Sequence, residues 1–433
     1  MRVTPRIVII GGGFAGIAAA RELRGCDANV VLIDRRNHNL FQPLLYQVAT
    51  AVLASSEIAA PIRQLAERQE NLEVLLAEVT SVDVRARSIE VFNRDAGART
   101  LKFDYLILAT GVQSSYFGHD DFAEYAPSLK TLTDAEEIRT KILTAYELAE
   151  LSDEPAERER LMTFAIVGGG PTGVELAASL ARMATQTLHN NFRRIDPRQS
   201  SIILIEGGKR ILPAFHPSLA RAAAARLKRL GVSIRTGSNV ELVDGDGLVV
   251  GGGRIKSATV LWAAGVSPSP LLTKLGVPTD RAGRVSVSRS LEVPGYPGVF
   301  VVGDAASIME DGRPLPGVAQ VAIQSGRYAG RAIAGEIAGR KNTKAFRYFN
   351  KGNLAVVGRN YAVFERDNVR ISGSLACFMW AFVHIMFLPQ VQNRLRVQIQ
   401  WFWTYFTGQR GSRIIPEPFP EQRLTHHEKA KVS

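Results

Sequence analysis

Apolar residues along this chain fall into three recurring patterns. The first is a short, dense run of isoleucine and valine that stops at glycine. Arg6-Ile-Val-Ile-Ile10 is such a run; GGGFAGIAAARELRG follows it and then NVVLIDRR. Runs of this kind suit strands buried on both faces of a parallel sheet. The order predicts strand, tight turn, helix, strand. It returns in FAIVGGGPTGVELAASLARM followed by SIILIEGGKR, where the intervening QTLHNNFRRIDPRQS predicts an extended helix plus a loop. YLILATG (105–111), VLWAAGV (260–266) and VFVVGDAA (299–306) are further apolar strands ending in small residues.

The second pattern is a helix of small residues, GVAQVAIQSGRYAG, from Gly317 to Gly330. Ala319, Ala322, Ser325 and Gly326 allow close packing. Gln320 and Gln324 sit four residues apart, so their amides share a face. The third pattern begins near 345, where the chain turns aromatic and basic. Leu375 to Leu388 is apolar except for His384, but these fourteen residues fall short of the ~20 that cross a bilayer. After Pro389, the residues Val391, Leu395, Ile399, Phe402 and Phe406 recur on one helical face. Gln392, Asn393, Arg396 and Gln400 lie largely opposite, and Trp401, Trp403 and Tyr405 flank the stripe. Aromatics and arginines on an amphipathic helix suit a membrane–water interface. A dimer interface or a core contact would use the same face.

Together the patterns predict an α/β chain with two Rossmann-like dinucleotide-binding domains, the second inserted into the first. The first domain takes 1–112 and 284–344 and the second 113–283. Residues 345–433 form a C-terminal amphipathic-helical membrane-anchoring region. A length of 433 residues agrees with two or three domains.

The glycine turns carry chemistry. Gly11, Gly13 and Gly16 match GxGxxG, and Asp34 ends the next strand; Gly168, Gly170 and Gly173 repeat the motif with Glu206 as the strand-end acid. In such a motif one glycine permits the turn, one admits the pyrophosphate and one lets helix and strand pack closely. The helix N-terminus adds free N–H groups and partial positive charge. The acids would accept from ribose hydroxyls. At the second site an acid disfavours a 2′-phosphate and favours NADH over NADPH, while Lys209 and Arg210 temper that preference. Asp304, after another apolar strand, suits a ribityl hydroxyl of a flavin. The small-residue helix would then point its positive end at the flavin ring. Gln320 and Gln324 would offer donor and acceptor to a carbonyl-bearing acceptor such as a quinone; capping the helix or binding water is their alternative use.

Composition adds limits. Lys and Arg number 53 against 41 Asp and Glu, a net charge of +12, which favours anionic partners. No basic block interleaved with stacking aromatics occurs away from the tail, so nucleic acid is not an expected partner. Two distant cysteines, Cys26 and Cys377, exclude a CxxC redox pair and argue against a cysteine zinc site; no metal is expected. The first strand starts almost at once, leaving no room for a removable leader.

These residues resemble the type II NADH dehydrogenases, single-subunit, non-pumping NADH:quinone oxidoreductases with two dinucleotide domains. GGGFAG (11–16), HNLFQPLLYQVAT (38–50), LATG (108–111), VGGGPTGVELA (167–177) and VVGDAA (301–306) carry the resemblance across nearly the whole chain. Ala319-Gln320-Val-Ala-Ile-Gln324 matches the family's AQxxxQ quinone motif, and Lys351-Gly-Asn-Leu-Ala355 a further segment. The resemblance implies FAD at the first fingerprint, with Thr110, Gly111 and Asp304, and NADH at the second. It implies a membrane quinone near Gln320 and Gln324, and it implies Glu175 and Lys351 near the flavin. A helix-surface glutamate and a solvated lysine are the plain alternatives for these two. A homodimer joined through the tail is expected, and the missing leader favours the cytoplasmic face of a bacterial inner membrane over an organelle. Sulfide:quinone reductases share the plan but need cysteines by the flavin. Soluble ferredoxin or rubredoxin reductases would not need the tail. A protein electron acceptor or a non-catalytic redox sensor are further alternatives. His384, on an apolar face, is given no chemistry.

Overall fold

The computed structural model describes residues 4–340 and 344–415. The chain opens with β1 (Arg6–Ile10), α1 (Phe14–Glu22), β2 (Asn29–Asp34), β3 (Leu72–Leu76) and β4 (Tyr105–Leu108). It crosses into the second unit along Val112–Ser114, a short strand paired antiparallel with Val266–Pro268. Inside it lie α2 (Leu132–Leu151), β5 (Thr163–Val167), α3 (Pro171–Arg182), β6 (Ser201–Glu206), β7 (Val232–Thr236) and β8 (Thr259–Trp262). The chain then returns with β9 (Val299–Val301) and α4 (Ala319–Ile337).

Two parallel sheets result, ordered β9-β4-β1-β2-β3 and β7-β6-β5-β8. Their central strands are buried on both faces; Ile7, Val8, Ile9, Leu106 and Phe164 have no exposed surface. This explains why they read as unbroken apolar runs. After α3 the chain makes a π-helical turn at Met183–Thr187 and then a loop, which takes up the extra length before β6. Each nucleotide unit also carries a three-stranded antiparallel meander, at 78–102 and 240–256. The pattern analysis did not resolve these half-exposed strands.

The small-residue helix is longer than its motif. It packs lengthwise on α1 through glycines. A Cβ on Gly326 would stand 2.1 Å from the Ala15 carbonyl oxygen, and one on Gly330 would stand 2.7 Å from that of Ala19.

The C-terminal region is not helical throughout. β10 (Asn353–Val356), β11 (Ala362–Arg366) and β12 (Val369–Gly373) form an antiparallel sheet ahead of the helices. Its turns use Asn360 and Asp367 at positive φ, residues suited to left-handed backbone. α5 (Ser374–Phe387) and α6 (Val391–Thr407) follow. The amphipathic helices are present as expected, but this sheet precedes them; its strands are too short to leave a clear periodic signal.

α6 has two distinct faces. Val391, Leu395, Ile399, Phe402 and Phe406 all face outward, each at least 55% exposed. Asn393, on the opposite face, is buried, and its amide N–H groups reach the carbonyls of Ser56, Glu57 and Ala59. Periodicity separates two faces but does not say which one meets the protein.

Gly326→Ala raises intrinsic helix propensity yet forces α1 and α4 apart. We expect a net loss of about 1–3 kcal/mol, seen as a lower thermal midpoint and weaker retention of FAD. A higher midpoint would contradict the glycine seam.

Candidate active site

Both fingerprints build the same backbone cradle. Gly11 and Gly168 have φ of 108° and 112°, a region open to glycine. The Gly11 N–H donates to the Ile33 carbonyl at 2.8 Å, and Gly168 N–H donates to Ile205 at 2.8 Å. A Cβ on Gly16 would lie 1.8 Å from the Gly11 oxygen, and one on Gly173 would lie 1.9 Å from that of Gly168. Gly13 and Gly170 differ: no described atom lies within 4 Å of a Cβ there, which leaves bare backbone for a pyrophosphate to approach.

The strand-end acids are fixed by this backbone. Asp34 accepts from the N–H of Gly12 at 2.6 Å and of Arg36 at 2.7 Å. Glu206 accepts from Gly169 and Gly208, both at 2.7 Å. A carboxylate has about four lone-pair sites, so each acid keeps capacity for a ribose hydroxyl. Arg210 is turned away, donating to the carbonyls of Pro213 and Phe215.

A cavity of about 690 Å³ lies over the first fingerprint, lined also by Asp34, Thr110, Gly111, Asp304 and Ala322. Thr110 Oγ1 and Asp304 Oδ1 are buried there without a hydrogen-bond partner. Buried polar atoms are normally paired, so these orphans, with the glycine cradle, fit a bound FAD. Burial pushes the Asp304 carboxyl up, while Lys130 and Arg284 pull it down. Lys130 lines the same cavity, and burial lowers its pKa against the pull of Asp304. The sequence pattern gave no hint of Lys130, which precedes the capping box of α2. In that box Thr131 Oγ1 accepts from Asp134 N–H and Asp134 accepts from Thr131 N–H.

α4 starts against this cavity. Ser325 Oγ accepts from the Gly303 N–H at 3.0 Å, which ties the helix to the turn that presents Asp304. The paired glutamines then reach away to residues 348–352. Gln320 donates to the Gly352 carbonyl at 2.8 Å and accepts from the Lys351 N–H at 3.0 Å and the Tyr348 hydroxyl at 3.3 Å. Gln324 donates to the Phe349 carbonyl at 3.0 Å and accepts from its N–H at 2.9 Å. The shared face was legible from spacing; the partner was not.

The same segment runs on to Glu175. Val356 N–H donates to Glu175 Oε1 at 3.2 Å. Glu175 is buried on α3, and burial raises its pKa to about 8 against that hydrogen bond. One stretch, 348–356, therefore links all four candidate residues: Gln320, Gln324, Lys351 and Glu175. Lys351 Nζ lies 5.3 Å from the Phe387 ring centroid at the end of α5.

A three-way staple joins the domains. Thr50 Oγ1 and Ser179 Oγ are 2.7 Å apart, and buried Arg410 donates to the carbonyls of both residues. Cys26 and Cys377 are free, one after α1 and one on α5.

Residues 5–326 match the pyridine nucleotide-disulphide oxidoreductase family, and 350–410 match the NDH2 C-terminal domain. The type II NADH:quinone oxidoreductase Ndh of Mycobacterium tuberculosis is 42% identical over 95% of this chain and 90% of its own length. The chain belongs to the type II NADH:quinone oxidoreductases. NdhA of the same organism is 40% identical over 97% of this chain and 91% of its own. The fold matches NDH2 of Plasmodium falciparum, solved with NADH, at a TM-score of 0.88 and 22% identity, over 95% of this chain and all of that one. Type II oxidoreductases use FAD and NADH, and the two cradles supply one binding unit for each.

As the expected acceptor for the NADH ribose, Glu206 would repel a 2′-phosphate. Glu206→Ala should shift kcat/KM toward NADPH relative to NADH by roughly tenfold or more, measured by steady-state kinetics with both nucleotides. An unchanged ratio would remove Glu206 from nucleotide selection.

Proposed function

We propose that this NADH:quinone oxidoreductase sits on a membrane surface through α5 and α6 and reduces quinone where α4, residues 348–352 and the end of α5 meet. The carrying observation is the contact of Lys351 with Phe387, which joins the segment clamped by the glutamines to an outward apolar face. Leu375, Phe378 and Phe382 of α5 are 59–70% exposed, as is the stripe on α6. Apolar patches of this kind mark binding surfaces. Among the described residues no helix is long and apolar enough to cross a membrane, which agrees with a monotopic attachment. Two copies joined through the C-terminal region as a homodimer would keep both faces on one membrane plane. Supply of NADH from the cytoplasm favours the cytoplasmic face of a bacterial inner membrane.

NADH docks on Gly168, Gly170 and Gly173 with its ribose on Glu206. Thr110, Asp304 and Asp34 hold FAD, which supplies, when bound, the two-electron relay between NADH and quinone. Balance requires NADH, one proton and quinone to give NAD⁺ and quinol. Glu175 retains its proton at neutral pH and supplies one. The Lys351 cation favours the charge that builds on the quinone oxygens during reduction. Gln320 and Gln324 act by holding Lys351 and the backbone beside it. A protein acceptor in place of quinone would leave the outward apolar faces without a use.

Anaerobic stopped flow separates the half-reactions. In Gln320→Ala/Gln324→Ala we expect flavin bleaching by NADH at the wild-type rate and recovery by a short-chain quinone slowed by roughly 10²-fold. Fast bleaching with no recovery in the wild type would sink the quinone reading.

The pH dependence follows from Glu175. Its carboxyl is protonated below about 8 and loses the proton as pH rises through that value. Quinone-driven recovery should fall above pH 8 in the wild type and be slow but flat in Glu175→Gln. The same decline in both would clear Glu175 of proton delivery.

A further inference from the structure

Between α3, α5, α6 and the turn at 357–361 lies a second cavity of about 400 Å³. Glu175 lies on its wall, but the rest of the lining has no part in the reaction above. Phe402, Tyr405 and Phe406 form its rim and are themselves 39–68% exposed. The cavity therefore opens onto the same outward apolar surface that α6 presents.

Its polar end is cationic. Arg182 and Arg359 line it, and neither forms an ion pair among the described residues. Arg182 donates only to the Gln186 side-chain oxygen. The Arg359 guanidinium lies 3.9 Å from the Tyr405 ring centroid. Behind them Arg226 donates to the carbonyls of Val357 and Arg359, and Arg410 donates to those of Thr50 and Ser179. Every partner among the described residues is neutral. Burial, then the charges of Arg359 and Arg226, lower the pKa of Arg182. The one acid on the wall, Glu175, is largely neutral at pH 7 because its pKa is about 8. Cations held in a low dielectric without a counter-charge are unfavourable, and a bound anion relieves them.

We propose that this cavity binds one anionic phospholipid, with its phosphate on Arg182 and Arg359 and an acyl chain against Trp401 and Phe402. A quinone carries no charge for the arginines. A free phosphate leaves the apolar wall wet. A nucleotide has no apolar tail for the rim. A phospholipid satisfies both ends. The site rests on the membrane-surface reading of α5 and α6, because the lipid enters from that side.

Native mass spectrometry of the full-length holoenzyme tests it, in micelles holding equal phosphatidylglycerol and phosphatidylcholine. One phosphatidylglycerol per chain should be retained, preferred roughly tenfold over the neutral lipid. Arg182→Gln/Arg359→Gln should abolish that preference. Ala381→Trp, which fills the apolar wall and keeps both arginines, should also lower retention. Flavin absorbance reports whether each variant is folded. Equal retention of both lipids, or unchanged retention in folded variants, would overturn the proposal. Displacement by inorganic phosphate would reassign the arginines to the free anion, and displacement by a short-chain quinone would reassign the cavity to quinone; either overturns it. Flotation with neutral phosphatidylcholine vesicles separates the two readings. Failure to float removes the membrane reading, whereas floating without a retained phosphatidylglycerol removes only the lipid site.

Discussion

The close approach of α1 and α4 is the constraint on which the site depends. A single carbon added at Gly326 would collide with the Ala15 backbone. That contact sets α4 directly beside the first glycine turn, and Ser325 then bonds the Gly303 N–H. Asp304 is thereby held on the wall of the FAD cavity. The opposite face of the same helix sends Gln320 and Gln324 to residues 349–352. One helix therefore links the cofactor cavity to the segment that carries Lys351. Its small residues and its amides are two sides of one device: the first set its position and the second transmit it.

Much of this was legible because it is local. The fingerprints lie within single strand–turn–helix units, where short-range sterics at Gly11, Gly16, Gly168 and Gly173 dictate the residue type. Buried parallel strands announced themselves as unbroken apolar runs. The parts that were not legible depend on distant partners. Nothing near Gln320 in the sequence points to Gly352, and Arg410 meets Thr50 and Ser179 only in the fold. Lys130 became a cavity residue because Asp304 was brought to it. The meanders and the β10–β12 sheet escaped because half-exposed short strands lack a strong periodic contrast.

The C-terminal helices show the same limit from another side. In α6 the stripe was identified correctly, but its direction follows from packing. Asn393 has three backbone carbonyls for its amide on the inner face, so that face cannot turn to solvent without leaving them unpaired. Trp401 is likewise drawn inward, where its N–H meets Gln47 at 2.7 Å and its ring stacks on Trp380 at 5.2 Å. Polar anchoring inside forces the apolar residues out.

An outward apolar face and an inward surplus of arginine share one logic if the missing solvent is a membrane. Water leaves Phe402 and Phe406 unfavourably hydrated, and among the described residues Arg182 and Arg359 have no counter-ion. An acyl layer covers the first pair, and an anionic headgroup answers the second. Both belong to one phase, and they meet at the cavity rim where Tyr405 touches Arg359. The same boundary lies close to Glu175 and to the segment that holds Lys351, so the surface that would attach the chain is also the side from which a quinone would arrive.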